Sequence, residues 1–193
     1  MPESELSTSD KILKTAVALI EEKGFHAVTM KEIATTVGVS EMTVFRHFSS
    51  KKGILEVAIE KCSFIPTLRE FETQLTWELE HDLLLLCEIY QKIMHTNRSI
   101  ILILMQERAM LSDENRQGLP PYHLKEFITK YFKEMQAKDK IVTENIDALT
   151  LAFMMMNFGY FYSKTTLSKD FINVSDETYI DVCVQLFVKS LKI

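Results

Sequence analysis

Only five glycines and four prolines punctuate 193 residues. A sheet protein needs frequent turns, and turns draw on residues that reach positive φ or fix φ at about −65°. A chain this poor in both must fold as long segments with few loops. Its apolar residues recur at helical spacing. From about Asp10 to Lys23, Ile12, Ala16, Leu19 and Ile20 share one face, with Leu13 and Val17 beside them. Ser7, Thr8 and Ser9 offer N-caps, and Gly24 stands where the helix closes. No convincing strand and no internal repeat is found, so the fold class is all-α.

Further short helices follow. Thr29-Met30-Lys31-Glu32 reads as a capping box, in which hydroxyl and carboxylate satisfy orphan amides reciprocally. The helix it starts buries Ile33, Ala34 and Val37 and ends at Gly38. After Val39, Ser40 is placed to cap a helix from Glu41 to about Phe48, and Ser50 to cap one from Lys51 to Cys62 or Ile65. Pro66 interrupts or redirects the chain there. Beyond it the pattern lengthens. Leu75 to about Thr96 reads as one or two helices with the run Leu83-Leu84-Leu85-Leu86 buried. Ser99 to about Leu111 is apolar almost all round from Ile100 to Met105, which predicts a place in the middle of the body. After a polar loop from Ser112 to Pro120 come helices at Pro121 to about Lys138, Thr143 (as N-cap) to about Lys164, and Asp176 to about Leu191. That makes about nine helices: a head over residues 1–50 and a larger bundle over 51–193, with the helix from about 51 to 65 connecting them.

The formal net charge of −5 argues against nucleic acid until its distribution is read. Between Lys23 and Gly53 stand Lys23, Lys31, Arg46, Lys51 and Lys52 against Glu32 and Glu41, so this segment is basic. The longest apolar stretch, Ala148 to Tyr162, is broken by Thr150, Asn157 and Gly159 and is shorter than the roughly 20 residues of a membrane-spanning helix. Scattered Cys62, Cys87 and Cys183 and a polar, acidic N-terminus point to reduced thiols in the cytoplasm. No P-loop, GxSxG, HExxH or dinucleotide fingerprint is present, so an enzyme is not expected and no cofactor is implied. Glu78, Glu80 and Asp82 cluster on what reads as a wet face.

The second and third helices are linked by Gly38-Val39-Ser40, a turn of helix-turn-helix length. Ile33, Ala34, Val37, Val39 and Val44 would hold the two helices together, leaving Glu41, Met42, Thr43, Arg46 and His47 outward. Arg46 can pair with guanine and Glu41 with cytosine, while Met42 and the Thr43 methyl can touch a thymine methyl. Thr43, His47, Lys51 and helix-start amides can bind phosphates. Taken singly, Arg46 or Lys51 reads as a solvated surface charge. The joint pattern Ile33-Ala34-x-x-x-Gly38-Val39-Ser40-x-x-Thr43-Val44-Phe45-Arg46-His47-Phe48-x-x-Lys51 resembles the DNA-binding signature of the TetR (tetracycline repressor) family. Ile12-Leu13-x-x-Ala16 and Gly24-Phe25 through Thr29 also fit that family's first helix and turn.

The resemblance implies DNA-facing positions at Thr43, Phe45, His47 and Lys51, with Glu41, Met42 and Arg46 available for bases; Thr29, Lys31 and Ser40 complete the expected DNA-binding set. Two departures stand out. Phe45 replaces the usual Tyr and cannot offer a phenolic hydroxyl to phosphate, and Gly53 weakens the fourth helix. The resemblance further implies a homodimer through the last two helices, about 143–164 and 176–191, reading a pseudo-palindromic operator with recognition helices about 34–36 Å apart. A small apolar or amphipathic effector would then release the DNA, usually relieving repression. Activation instead of repression, or a helical protein-binding adaptor, are the competing readings.

Phe153 to Tyr162 is rich in Met and aromatics and suits either core and dimer interface or an adaptable pocket. Pocket candidates are Trp77, His81, Tyr90, His95, Met105, Tyr122, His123, Phe127, Met154, Asn157, Phe158 and Phe161, with Gln106, Glu107 and Arg108 as polar readers. His81, His95 and His123 lack metal-pair spacing, so no metal is expected.

Overall fold

The computed structural model describes residues 6–61, 65–106, 120–142, 145–168 and 170–191. Regular structure among them is helical throughout: α1 (Thr8–Lys23), α2 (Met30–Val37), α3 (Glu41–His47), α4 (Lys51–Glu60), α5 (Ile65–Gln74), α6 (Leu79–Thr96), α7 (Arg98–Gln106), α8 (Pro120–Ala137), α9 (Ile146–Thr166) and α10 (Asp176–Leu191). The chain divides into two compact units, Met1–Ser63 with Asn97–Gln117, and Phe64–Thr96 with Gly118–Ile193.

In the first unit, Ile12, Ala16 and Ile20 recur every four residues and bury the inner face of α1. They join Ile33 and Ala34 of α2, Val44 of α3, Phe48, and Ile54, Leu55 and Ala58 of α4 in one cluster. Each of these helices starts on a hydroxyl. Ser7 accepts from the Asp10 amide at 3.1 Å, Thr29 from Glu32 at 3.1 Å, Ser40 from Thr43 at 3.1 Å and Ser50 from Gly53 at 3.0 Å. Such a cap contributes ~1 kcal/mol. Helices of seven to ten residues are marginal alone, so caps and shared core together hold α2, α3 and α4.

The same cluster corrects one expectation. Near-uniform apolarity places α7 in the middle of the body. Instead, Ile100 and Ile103 of α7 belong to this cluster, with Leu104 packed alongside, and α7 lies against α1 and α4. Short α2 and α3 offer α1 too little apolar surface, and α7 completes the cover.

The second unit centres on α6, which packs against α5, α9 and α10. Leu83 and Leu86 are fully buried, but Leu84 and Leu85 are only half-buried. Four successive residues at about 100° each circle most of a helix, so a Leu run cannot all face one core. Pro66 does not end a helix. It is the second residue of α5, in the first turn, where its missing N–H has no partner to lose. Residues 75–78 form the turn into α6, with Trp77 at φ 62°.

Asp82, expected on a wet face, is fully buried. Its carboxylate accepts from the Thr76 amide at 3.0 Å, the Thr76 hydroxyl at 2.8 Å, the Trp77 amide at 2.9 Å and the Tyr131 hydroxyl at 3.3 Å. The turn presents amides with no helical partner, and the carboxylate answers them. α9 is capped by Asn145, whose side-chain oxygen accepts from the Ala148 amide at 2.9 Å. The expected cap Thr143, together with Cys62, Glu107, Arg108 and the polar loop after Leu111, lies outside the described residues. Cys87 and Cys183 are buried, and burial pushes the Cys87 thiol up to about 12 and raises Cys183 as well. Both are therefore held as unreactive thiols.

Candidate nucleic-acid interface

The turn between α2 and α3 is fixed by Gly38 at φ 82°, ψ 32°, a left-handed position that favours glycine. Its amide reaches the Thr35 carbonyl at 3.2 Å, and the Val39 amide reaches Ala34 at 3.0 Å. That pair of bonds is a Schellman closure. Ser40 then starts α3, and Val44, wholly inaccessible, pins it to the core. Everything else on α3 follows from that anchor. Met42 is 78% exposed and Phe45 46% exposed, with Glu41, Arg46 and His47 exposed as well. Met42, Phe45 and Arg46 stand at i, i+3 and i+4, so they share one face.

The expected site residues divide into two sets. Glu41, Met42, Phe45, Arg46 and His47 project from α3, and Lys31 is exposed beside the start of α2. Thr29, Ser40 and Thr43 are engaged in the scaffold: the first two cap helices, and the Thr43 hydroxyl lies 2.8 Å from that of Ser40. Lys51 also turns inward. Its ammonium donates to the Phe25 and Val28 carbonyls and lies 4.2 Å from the centre of the Phe25 ring. The side chain braces the turn before α2.

Charge is committed in the same way. Lys23 pairs with Glu32 at 2.7 Å and Lys52 with Glu56 at 3.6 Å. The Lys23 ammonium, and after it the Thr29 backbone, hold the Glu32 carboxyl below its ordinary range. The Glu32–Thr29 bond is the reciprocal half of the capping box. Among the described residues, Lys31 and Arg46 have no ion-pair partner.

The family profile of the bacterial regulatory proteins, tetR family, matches residues 12–58, which span α1 to α4. The HTH-type transcriptional regulator YvkB of Bacillus subtilis (strain 168) is 32% identical over 185 residues, 95% of this chain and 97% of the relative. The chain belongs to the TetR family. The family is one of transcriptional regulators, not enzymes. A second relative, IcaR of Staphylococcus aureus (strain Newman), the negative transcriptional regulator of the biofilm operon icaADBC, is 38% identical over 53 residues, 28% of each chain. The TetR-family regulator PfmR of Thermus thermophilus has the same fold, with a TM-score of 0.73 at 19% identity over 94% of this chain and 99% of that one. AibR, solved with isovaleryl coenzyme A and operator DNA, superposes with a TM-score of 0.68 at 18% identity over 93% and 97%. Among the described residues, no helix is long and apolar enough to cross a membrane.

The pocket candidates fall in four places. Tyr90, Met154, Asn157 and Phe161 are buried inside the second unit, with Phe158 half-buried beside Phe161 and Tyr162. Trp77 and Phe127 line a crevice between the α5–α6 turn and α8. Tyr122 is exposed over an open groove along α8. Met105 sits on α7 in the first unit. The histidines do not converge. His81 is 3.2 Å from the Thr76 hydroxyl, His95 meets the edge of Phe161, and His123 is 3.9 Å from Glu126.

Sequence reasoning missed Gln91. It is buried on α6 and donates to the Asn157 carbonyl at 3.0 Å, while its own side-chain oxygen has no partner among the described residues. The signal was a lone amide among the apolar positions Cys87, Tyr90 and Met94. The outer faces of the last two helices expose Leu151, Met155 and Tyr162 on α9, and Val182 and Leu186 on α10. Gly159 is open around its Cα.

Proposed function

We propose that the protein is a homodimeric repressor that reads a pseudo-palindromic operator through α3 and is released by a small apolar or amphipathic effector. One observation carries the DNA reading. α3 is anchored by a single buried residue and turns Met42, Phe45 and Arg46, an apolar and cationic set without partners among the described residues, to solvent. A packed head has no structural use for that face. Arg46 donates to guanine, Glu41 accepts from cytosine, and Met42 and the Thr43 methyl meet thymine methyls. Lys31, His47 and the amides at the starts of α2 and α3 hold phosphates, with Thr29 and Ser40 setting those helix starts. Phe45 contributes apolar contact alone. Lys51 acts by bracing the turn.

The dimer reading rests on the exposed apolar stripe of α9 and α10. Leu151, Met155 and Tyr162 recur on one face, and an exposed apolar face of this kind calls for a partner. Residues 1–50 then serve DNA binding and 51–193 serve dimerisation and effector binding. The unpaired Gln91 oxygen beside Asn157 is a buried acceptor that an effector's donor would satisfy. Repression is supported by the negative regulator IcaR and effector control by AibR with its acyl coenzyme A. An effector that binds better to the DNA-free state must lower operator affinity by reciprocity. A regulator of this kind works in the cytoplasm.

The test is selection from random duplex DNA at moderate salt, with protein refolded to strip bound ligand and an Arg46→Ala control. A pseudo-palindrome recovered by the parent and lost or relaxed in the variant is expected. No enriched sequence from folded, ligand-free dimer would defeat the proposal. Leu186→Glu should convert the dimer to monomer in sedimentation; an unchanged mass would move the interface elsewhere.

A further inference from the structure

Trp77 is the chain's one tryptophan, and it sits at φ 62°, where a bulky side chain is an outlier. The conformation is enforced by the buried Asp82 carboxylate, which takes the Trp77 amide at 2.9 Å. Backbone held against its preference in this way points to a use for the side chain it displays. The indole is stacked near-parallel to Tyr131, with ring centres 6.2 Å apart. With Phe127 these rings wall a crevice of about 200 Å³.

Glu72, Glu134 and Lys130 also line the crevice. Lys130 pairs with Glu72 at 3.3 Å. Lys138, one turn beyond Glu134, turns instead to the indole and places its ammonium 4.6 Å from the ring centre. Among the described residues Glu134 is therefore left without a cationic partner. The site combines aromatic walls, a Glu134 carboxylate without an ionic partner among the described residues, and an indole face that the Lys138 ammonium covers. Ring quadrupoles draw cations most strongly where the contact is desolvated, and a carboxylate beside the rings adds its own attraction.

We propose that this crevice is a binding site for a small organic cation of the quaternary or alkylammonium class, which takes the place of the Lys138 ammonium at the indole, its charge held by the Trp77 and Tyr131 rings and by Glu134. The site is separate from the buried Gln91–Asn157 pair, and its test involves no DNA, so it stands or falls apart from the regulatory reading.

Trp77 is its own reporter. Titrating the full-length protein with benzyltrimethylammonium should change Trp77 fluorescence saturably, and benzyl alcohol should not. Glu134→Gln, which removes the charge and keeps the shape, should weaken binding roughly tenfold. Thermal unfolding of that variant is expected to match the parent, since the side chain has no ionic partner to lose among the described residues. A non-saturable response, equal binding of benzyl alcohol, or unchanged affinity in a folded Glu134→Gln protein would each overturn the proposal. Because Glu134→Gln could still perturb α8, Phe127→Leu is measured beside it and should also weaken the cation; unchanged affinity there overturns the aromatic wall.

Discussion

Replacing Asp82 with Ala should be among the most damaging single changes outside the large apolar core. The carboxylate is inaccessible to solvent and accepts from the Thr76 amide and hydroxyl, the Trp77 amide and the Tyr131 hydroxyl, with the exposed His81 Nδ1 also 3.3 Å from it. Thr76 is exposed, so water can replace the carboxylate there. Trp77 is half-buried and Tyr131 is 3% exposed, so their donors are left in a poor position to find water. Each stranded donor costs about 1–3 kcal/mol. Relief from desolvating the carboxylate offsets part of this. The net loss should be ~3 kcal/mol, and Asp82→Asn, which keeps one acceptor oxygen, should lose about half as much. Urea unfolding at fixed protein concentration, followed by circular dichroism and by Trp77 fluorescence, reads both. At a slope of about 2 kcal/mol/M the Ala variant's midpoint falls by roughly 1.5 M. A loss under about 1 kcal/mol would show that the carboxylate does not organise the turn.

Gly53 lies in the first turn of α4, and a Cβ there would meet the Ser50 Oγ at an ordinary 3.5 Å. Gly53→Ala should therefore stabilise by ~0.5–1 kcal/mol, visible as a rise in Tm. Gly38→Ala meets no clash but is held at φ 82°, so it should cost about 1–2 kcal/mol and weaken operator binding by misaligning α3. Lys31 is the cation between Lys23 and Gly53 left for phosphate in each head, so a dimer that neutralises about two phosphates should show a slope of about −2 in log affinity against log salt; Lys31→Ala should make it shallower, whereas Arg46→Ala should relax the base preference. Lys164 and then Tyr160 bond the Asp176 carboxyl and hold it below the ordinary value of 3.8. A depressed folded value stabilises above the unfolded one, so this contribution is intact above about pH 5 and disappears as pH falls through 3.8 and below. Asp176→Asn should flatten acid unfolding in that window; an identical pH curve would count against the pairing.

The head is legible in the sequence because its signals are local. Thr29, Ser40 and Ser50 each sit three residues before the amide they cap, and Gly38 sits where the chain needs a left-handed turn. What stays hidden is long-range. Nothing within α7 tells an apolar helix whether α1 or the bundle will receive it. Asp82 in isolation is one carboxylate among Glu78 and Glu80. Only the Trp77 turn and Tyr131, 49 residues away, explain its burial. Lys51 reads as a phosphate contact because its acceptors, the Phe25 and Val28 carbonyls, lie 26 and 23 residues back. The pocket candidates scatter for the same reason, since periodicity assigns a residue to a face and leaves open which element covers it.

The inward turn of Lys51 changes how this head must discriminate. Five basic residues between Lys23 and Gly53 suggest a surface that holds DNA by charge. Three of them are bound within the head: Lys23 to Glu32, Lys52 to Glu56, and Lys51 to two carbonyls. With few cations left for phosphates, sequence-independent binding is weak, and the acidic chain as a whole repels the backbone further. On the function proposed above, affinity then comes from the face of α3, with Met42, Phe45 and Arg46 offering contacts that depend on the base presented. Phe45 sharpens this, because an apolar ring gains nothing from phosphate and gains from a methyl or sugar surface. A head built this way trades non-specific affinity for a higher ratio of specific to non-specific binding, and that ratio is what governs occupancy of an operator among many competing sites.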